Sequence, residues 1–379
     1  MNKKAIAILG AIFILIVGTL GFLIISKYSS KSTKNNTAQT SDGSNNASSS
    51  PSNVSTSTAG SLGQNKSPLV KLTNGIVVSP VLFYNGSGVT YFGQDGKLYQ
   101  GTFDKTGAVD QLTRIHSLEI PLKTNVSQAL WPSRGDDFIV SMGGNSSGQY
   151  SYFNSKTSSY VDLPPQMKMV SWMPQGDKIV YIWSKDGKFS LQTSSPDGTN
   201  WQNVGTMYQP DNALSVSPDG LTVAFFRTAS SDVNNSIYSV SIDGKVWKTF
   251  VKDGFNTGVL WSPDSKKLLF AKRDSSTGSY QLWYYDIPNN EAKNLGLFAT
   301  VDKAVWNASG TMVYAAVSNA NGSGDSLVAI DVKTMAKKQY SMPADTSVTI
   351  GNLFLSNSED KIYFKNLNDG SLYYYLLGK

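Results

Sequence analysis

The stretch that decides the fold is Trp261-Ser-Pro-Asp-Ser265-Lys-Lys-Leu-Leu-Phe270, an aromatic residue followed by a turn and a β-rich run. Proline fixes φ for a turn, and aspartate can bond its own backbone two residues on. The same pattern occurs as Val216-Ser-Pro-Asp-Gly220, where glycine accepts a positive φ before the next strand begins. Each copy therefore predicts two strands joined by a tight turn.

The pattern recurs along the chain at a regular interval. Seven copies can be aligned on their first residue, and neighbouring copies lie 41 to 49 residues apart. The first residues, in chain order, are Tyr84, Trp131, Trp172, Val216, Trp261, Trp306 and Leu355. A third strand and a hairpin to a fourth follow the turn in every copy but the last, and four short strands per ~45 residues is the period of a propeller blade. We therefore predict an all-β, seven-bladed β-propeller, with six or eight blades as alternatives.

The two ends of this region predict how the ring closes. The last copy ends at Ser371–Leu377 without room for a fourth strand, whereas Leu69–Thr73 is typical of the final strand of a blade. Pairing these segments would hide a strand edge that otherwise invites aggregation. A pair of β-sandwiches is the alternative, but sandwiches do not require a tryptophan-turn repeat at fixed spacing.

The repeats resemble those of TolB-type and WD-repeat-like propellers, in which a Trp-Ser-Pro-Asp-Gly motif recurs once per blade. Residues 216–220 and 261–265 match most closely, and the resemblance covers residues 67–379. It implies the propeller fold rather than a function, because such propellers have many unrelated roles. The chain is not similar to TolB at its N-terminus, where TolB has a separate α/β domain.

The N-terminus predicts a membrane anchor. Ala5–Ile25 is an uncharged apolar run of 21 residues, which as a helix would reach ~31 Å, about the thickness of the bilayer's hydrocarbon core. The apolar core of a cleaved signal peptide is shorter. We therefore assign residues 1–28 to a cytoplasmic N-terminus with a transmembrane anchor, 29–66 to a linker and 67–379 to the propeller.

The excess of basic residues lies in the linker and beside the predicted membrane anchor. Residues 29–66 are rich in Ser, Thr and Asn and are predicted to be disordered. The formal charge of +6 arises mainly before residue 67, because residues 67–379 carry 27 basic and 26 acidic side chains. This near-neutral domain has no electrostatic footprint for nucleic acid. Lysines flank the anchor on both sides, so the stalk-like linker, rather than charge, favours a propeller outside the cell membrane.

Sequence motifs give little support for catalysis. Gly144–Gly148 matches the Gly-x-Ser-x-Gly pattern, but a hairpin loop is expected there instead of a strand-to-helix elbow. The chain has no cysteine and one histidine, His116, which we place with Arg114 in a loop between blades. Ser195-Pro-Asp197-Gly198 is close to the Asp-box of sialidase-like propellers and is expected to be a hairpin turn. We therefore expect no catalytic residue, metal or cofactor.

We accordingly expect a non-enzymatic binding or scaffold domain, displayed outside the cell, whose ligand is a protein, a peptide or a glycan. The alternative is a surface glycan-active hydrolase of the sialidase-like propeller type. Such an enzyme requires an arginine cluster with tyrosine and carboxylate partners, and the few arginines in the sequence are widely spaced.

Strand order predicts the binding face. If the strand ending at each repeat's first residue is innermost, the loops that enter these strands lie at the channel mouth, where binding residues concentrate. The residues four positions before these first residues are predicted to form a polar ring at the channel mouth that begins at Ser127. The residues eleven positions after them are predicted to lie on the same face of the ring. The predicted ligand-binding residues are Lys168, Trp183, Asn212, Arg227, Thr257, Lys272, Arg273 and Asp302. Among them, Trp183, Arg227, Asp302 and Lys168 are expected to line the ligand funnel.

Overall fold

The computed structural model describes most of the chain from Ser67 onward. The described residues are 67–83, 85–104, 111–118, 120–121, 123, 125–143, 148–208, 212–227, 235–274, 276–319, 322, 324–343 and 346–378. The predicted anchor and linker lie outside these residues. Within them, no helix is both long enough and apolar enough to cross a membrane.

The first three blades are antiparallel four-stranded sheets in simple chain order. Blade 1 consists of β2 Val77–Leu82, β3 Gly88–Gly93, β4 Leu98–Asp104 and β5 Gln111–Ser117. Blade 2 consists of β6 Val126–Leu130, β7 Phe138–Met142, β8 Gln149–Asn154 and β9 Ser159–Asp162. Blade 3 consists of β10 Met167–Trp172, β11 Ile179–Lys185, β12 Lys188–Ser194 and β13 Gln202–Met207. Each blade therefore follows the predicted strand–turn–strand pattern.

Blades 4 and 5 share one long strand. Blade 4 consists of β14 Asn212–Val216, β15 Thr222–Arg227, β16 Asn235–Ser241 and the first part of β17 Trp247–Trp261. Blade 5 consists of the rest of β17, β18 Lys267–Arg273, β19 Tyr280–Asp286 and β20 Glu291–Asn294. The pairing of β17 changes from β16, whose last partner in β17 is Gly254, to β18, whose first partner is Phe255.

The last two blades complete the ring. The short 3-10 helix Val301–Lys303 leads into blade 6, which consists of β21 Ala304–Trp306, β22 Met312–Ser318, β23 Asp325–Asp331 and β24 Lys337–Tyr340. Blade 7 consists of β25 Ile350–Leu355, β26 Lys361–Asn366, β27 Leu372–Leu376 and the N-terminal β1 Leu69–Lys71. The described residues therefore form seven blades, as predicted.

The closing strand pairs as the sequence predicts. β1 is antiparallel to β27, with Leu69 opposite Tyr375 and Lys71 opposite Tyr373. Thr73 Oγ1 then accepts a hydrogen bond of 2.9 Å from the backbone N–H of Leu372. The two ends of the domain are therefore held in one sheet, and the closure prediction is confirmed.

The core lies between the blades. Seven clusters of buried apolar side chains occur in the described part of the chain, one between each pair of neighbouring blades. In the cluster between blades 5 and 6, for example, Leu269 and Leu282 pack against Val313 and Ile330, and all four are fully buried. Since each sheet is covered on both faces by its neighbours, its strands are apolar on alternate and often on consecutive residues.

The repeated tryptophans connect successive blades. Trp172, Trp261 and Trp306 are buried, whereas Trp131 is half-buried. Each indole Nε1–H donates to a backbone carbonyl of the preceding blade: Trp131 to Ser79 at 2.7 Å, Trp172 to Leu130 at 2.8 Å, Trp261 to Ser215 at 3.2 Å and Trp306 to Leu260 at 3.3 Å. These tryptophans therefore pack between neighbouring blades.

Candidate functional site

The ring has two distinguishable faces. Contacts join the first strands of neighbouring blades, as between β10 and β14 or between β21 and β25, so these strands are innermost. The turns between first and second strands, such as Pro174–Gly176, therefore share one face, which we call the tryptophan-turn face. The hairpins between second and third strands, such as Asp186–Gly187, lie on the opposite face, which we call the hairpin face.

Local hydrogen bonds fix the turns of the tryptophan-turn face. In blade 4, the buried Ser217 hydroxyl donates to Asp219 Oδ1 at 2.5 Å and accepts from the N–H of Thr222 at 3.0 Å. The same carboxylate oxygen accepts from the N–H of Leu221 at 3.0 Å, the bond two residues on that the sequence predicts. Ser262 and Asp264 repeat the arrangement in blade 5. The turns are therefore rigid supports for whatever binds on this face.

Two of these turns have a side chain where the others have glycine. Ser265 and Glu359 have φ values of 58° and 54°, which are strained for residues other than glycine. Ser265 Oγ accepts a hydrogen bond of 3.0 Å from the N–H of Asp219, and Glu359 Oε1 accepts one of 2.6 Å from the N–H of Ala308. Both bonds reach the turn of the preceding blade, so the backbone strain is offset by contacts between blades.

The turn of blade 7 contains an acid-sensitive carboxylate. Although burial favours the neutral form, hydrogen bonds from Ser358 and Ser356 and the nearby Lys361 lower the pKa of Asp360 to about 2, from an ordinary value of 3.8. Because the folded-state pKa is lowered, this carboxylate stabilises the fold above about pH 4, and the contribution is lost as the pH falls towards 2.

We therefore expect the difference in melting temperature between the native chain and Asp360→Asn to be largest above about pH 4 and to disappear towards pH 2. Thermal unfolding followed by circular dichroism across this range measures the difference. Asp177→Asn, at an exposed carboxylate of blade 3, is the matched control and should leave the pH profile unchanged. A difference that is constant with pH would contradict the assigned role of Asp360.

The tryptophan-turn face contains a large open cavity. It has a volume of about 1400 Å³ and extends across blades 7, 1 and 2. A neighbouring cavity of about 970 Å³ extends from blade 1 to blade 4. The two share Val81, Trp131, Ser133 and Arg134, so together they form one open funnel, which we call the turn-face cavity.

The walls of the turn-face cavity combine ring faces with uncharged polar groups. The half-buried Phe83, Trp131 and Phe354 supply the aromatic surface. Trp131 is held by its bond to Ser79 and by Phe138, whose ring centroid is 5.2 Å away. The amide side chains that line it are Gln100, Gln175, Asn352 and Asn357, and the charged ones are Arg134 and Asp136. This wall can stack against a flat ligand and exchange hydrogen bonds with hydroxyl or amide groups.

Asn352 is the most unusual residue of the cavity. It is exposed in the innermost strand β25, at a bulge where the pairing with β26 shifts, and has a φ of 52°. Strained residues and bulges persist when the surrounding structure requires them, and they are enriched at functional sites. A sequence pattern did not single out Asn352, because a bulge in a six-residue strand leaves no local motif. Arg134 had a visible signal, since its turn reads Pro-Ser-Arg-Gly after Trp131 instead of Ser-Pro-Asp-Gly.

The residues predicted to bind ligand lie away from this cavity. Asn212 and Arg227 are cross-strand partners at the hairpin-face ends of β14 and β15, so the structure brings these two together. Trp183, in β11, lines a smaller cavity of about 640 Å³ on the hairpin face. Lys168 is half-buried opposite Ile182, and Asp302 is exposed on the 3-10 helix.

The remaining predicted residues make contacts within blade 5. Lys272 Nζ lies 4.7 Å from the ring centroid of Trp283, and Arg273 Nε donates to the carbonyl of Gly278 at 3.2 Å. Thr257 was expected in a loop entering an inner strand, but it lies within the continuous β17. That expectation was wrong because the chain passes from blade 4 to blade 5 without leaving the extended conformation.

The other motifs singled out in the sequence have structural positions. His116 and Arg114 lie in β5, not in a loop between blades, and His116 is opposite Gln100. The sequence analysis did not predict strand β5, because the residues around it are polar. Ser195–Gly198 forms the hairpin turn between β12 and β13, with the N–H of Thr199 donating to Asp197 Oδ1 at 3.0 Å, as predicted. The serines of the Gly-x-Ser-x-Gly pattern lie outside the described residues.

No group of three or more His, Asp or Glu side chains able to hold a metal ion occurs in the described ranges. The buried carboxylate of Asp325 instead forms an ion pair with a structural role. Lys303 Nζ lies 2.8 Å from Oδ2 of the buried Asp325, and the same oxygen accepts from the N–H of Ile350 at 2.8 Å. This pair links blade 6 to the innermost strand of blade 7.

These features define a seven-bladed β-propeller with an open cavity on its tryptophan-turn face. Comparison with protein-family models gives no match, and no curated protein matches the sequence. Solved structures do match. An oligogalacturonate lyase from Vibrio parahaemolyticus superimposes with a TM-score of 0.61 and 11% identity, covering 84% of this chain and 95% of that one. An oligogalacturonate lyase in complex with manganese gives 0.60 and 14%, covering 82% and 92%.

These comparisons correct one expectation and limit another. The expectation that the chain is not an enzyme was wrong as an inference from its repeats, because two solved propellers with a similar fold are lyases. At 11–14% identity the likeness shows the fold alone. The sequence resemblance to TolB-type and WD-repeat-like propellers correctly indicated a β-propeller fold. Because no family model matches, membership of either family is not shown.

Proposed function

We propose that this chain is a membrane-anchored, extracytoplasmic propeller that takes an oligosaccharide chain into the turn-face cavity. Residues 5–25 anchor it, and residues 29–66 hold the propeller clear of the lipid. The cell-surface glycan is therefore the partner, and the tryptophan-turn face is the surface that meets it.

The composition of the cavity wall carries this proposal. A sugar ring has an apolar C–H face that stacks on aromatic rings and a rim of hydroxyl groups that exchange hydrogen bonds with amides. Trp131, Phe83 and Phe354 supply the first kind of contact, and Asn352 and Asn357 supply the second. A volume of about 1400 Å³ exceeds that of most small-molecule pockets and suits several linked sugar units.

The charged side chains of the cavity favour acidic glycans as the first ligands to test. Arg134 and Asp136 are the charged residues lining it, and a guanidinium pairs in two-pronged fashion with a carboxylate. An acidic oligosaccharide can therefore be oriented by Arg134. Oligogalacturonate, the substrate named for the two similar lyases, is accordingly the first ligand to test, for binding and for cleavage together.

We expect Arg134→Ala, Asn357→Ala and Asn352→Gly each to weaken oligosaccharide binding by about 1 kcal/mol or more, the usual threshold for an important contact. The glycine variant keeps the positive φ of position 352 while removing the amide. Asn200→Gly is its matched control, because Asn200 is exposed with a φ of 55° but lies in a hairpin turn outside the cavity. Titration of the full-length chain in detergent micelles with labelled oligogalacturonate and neutral oligosaccharides measures the effect.

Two other outcomes have definite meanings. If alanine at Lys168, Trp183, Arg227 and Asp302 weakens binding and the cavity variants do not, the ligand binds on the hairpin face, as strand order alone predicted. If the purified chain binds oligosaccharide but intact cells producing it do not retain the label, the propeller is not outside the membrane. Binding of peptides in place of glycans by the same residues would overturn the assigned ligand class.

A further inference from the structure

We infer that a second site, on the hairpin face of blade 3, binds an acidic sugar ring. The site is the cavity of about 640 Å³ lined by Trp183, Lys185, Lys188, Ser190, Thr206 and Tyr208, together with neighbouring residues. Its size falls in the usual range for small-ligand pockets, ~300–1,000 Å³. We call it the blade-3 pocket. It does not depend on the function proposed for the turn-face cavity.

Register places the six side chains on one face of the blade. In β11 to β13, Trp183 lies opposite Ser190 and Ser190 lies opposite Thr206. Lys185 lies opposite Lys188, two residues further along the same hairpin. Because side chains alternate between the faces of a sheet, residues two apart share a face, which adds Tyr208 next to Thr206. The pocket is therefore a continuous row of aromatic, cationic and hydroxyl groups.

The two lysines are an unfavourable pair without a ligand. They flank the two-residue turn formed by Asp186 and Gly187, whose φ values are 50° and 72°. Like charges directly opposite each other on adjacent strands destabilise a hairpin. Neither ammonium group forms an ion pair with a carboxylate of the described residues. Asp186 also lines the pocket, which leaves it with a net charge of one positive unit and favours an anion.

The aromatic groups define the shape of that anion. Tyr208 is 93% exposed, and Trp183 is half-buried against the core between blades 2 and 3. The exposed ring of Tyr208 can bury its apolar face by stacking on a ligand, which is favourable. Ser190 and Thr206 provide hydroxyl groups beside it. A pyranose ring with one carboxylate satisfies all three features, because it has a stacking face, hydroxyl groups and a negative charge.

The test uses the full-length chain in detergent micelles with an oligomer of glucuronic acid, and with the same oligomer after methyl-esterification of its carboxylates. We expect the acid to bind and to bind less tightly as salt is raised, and the uncharged ester to bind at least about ten-fold more weakly. Lys185→Gln/Lys188→Gln should weaken binding of the acid about ten-fold. Tyr208→Ala should weaken it about five-fold.

Two further variants distinguish specific binding in the blade-3 pocket from non-specific attraction to positive charge. Asp186→Asn tolerates the positive φ and removes the one carboxylate of the pocket, so it should tighten binding of the acid about three-fold. Lys178→Gln/Lys248→Gln removes the same charge at two exposed lysines outside the pocket and should have no effect. Equal binding of the acid and the ester, or an equal loss in both lysine pairs, would overturn the proposal. Arg134→Ala leaves this site intact, so its effect reports only on the turn-face cavity.

Discussion

Deletion of residues 67–75 should lower the melting temperature of the propeller by more than about 10 °C, since each kcal/mol lost shifts it by about 2–4 °C in domains of a few hundred residues. These residues include β1, which completes blade 7 by pairing with β27. Without β1, the edge of β27 is exposed and the fully buried Leu372 and Tyr374 lose the packing of their neighbours Val70 and Leu72. Differential scanning calorimetry of the full-length chain measures the shift.

The control for this deletion is a deletion of equal length within the predicted linker, at residues 50–58, which should leave the melting temperature unchanged. Thr73→Val gives a graded intermediate, because it removes the hydroxyl that accepts from the N–H of Leu372 without changing side-chain volume. Leaving that buried N–H unpaired should cost about 1–3 kcal/mol. An unaltered melting curve after the nine-residue deletion would mean that the ring closes without β1.

Replacing Trp306 by alanine should lower the free energy of unfolding by about 3–5 kcal/mol, the cost of deleting a large aromatic side chain from a packed core. Trp306 is 5% exposed and belongs to the cluster between blades 5 and 6. Its loss leaves a cavity at the interface and removes the hydrogen bond to Leu260. Equilibrium denaturation in guanidinium chloride, followed by tryptophan fluorescence, measures the change.

Two variants place limits on this interpretation. Trp306→Phe keeps an aromatic ring but loses the indole donor and should cost about 1–2 kcal/mol. Trp131→Ala is the matched comparison, since Trp131 holds the equivalent repeat position but is half-buried at the turn-face cavity. It should therefore destabilise less than Trp306→Ala. A loss below about 1 kcal/mol in Trp306→Ala would show that the repeat tryptophans are not part of the core.

The candidate site depended on features that a linear pattern does not contain. Strand order correctly indicated which strands are innermost. It did not indicate that a large cavity lies on the tryptophan-turn face, because the cavity is lined by residues of β2, β6 and β25, which lie far apart in the chain. The bulges at Ser79 and Asn352 also depend on pairing with the next strand and not on their own sequence.

The sequence by itself indicated most of the strands and turns, and its repeats favoured seven blades. Those features are local: the Ser-Pro-Asp-Gly segment holds the groups that form its own hydrogen bonds, as Ser217 and Asp219 show. Ring closure was also predictable, since an unpaired final strand needs a partner and one segment remained. All these features follow from interactions within a few residues or from counting strands.

Only the tertiary structure decided how neighbouring blades meet. The bonds from Trp131 to Ser79 and from Glu359 to Ala308 join residues of different blades, and the continuous β17 replaces the loop expected at Thr257. The blade-3 pocket similarly required the register that sets Lys185 opposite Lys188 and Ser190 opposite Thr206. Cavities and non-local bonds depend on relative strand positions, and a shift of one residue moves every side chain to the other face of a sheet.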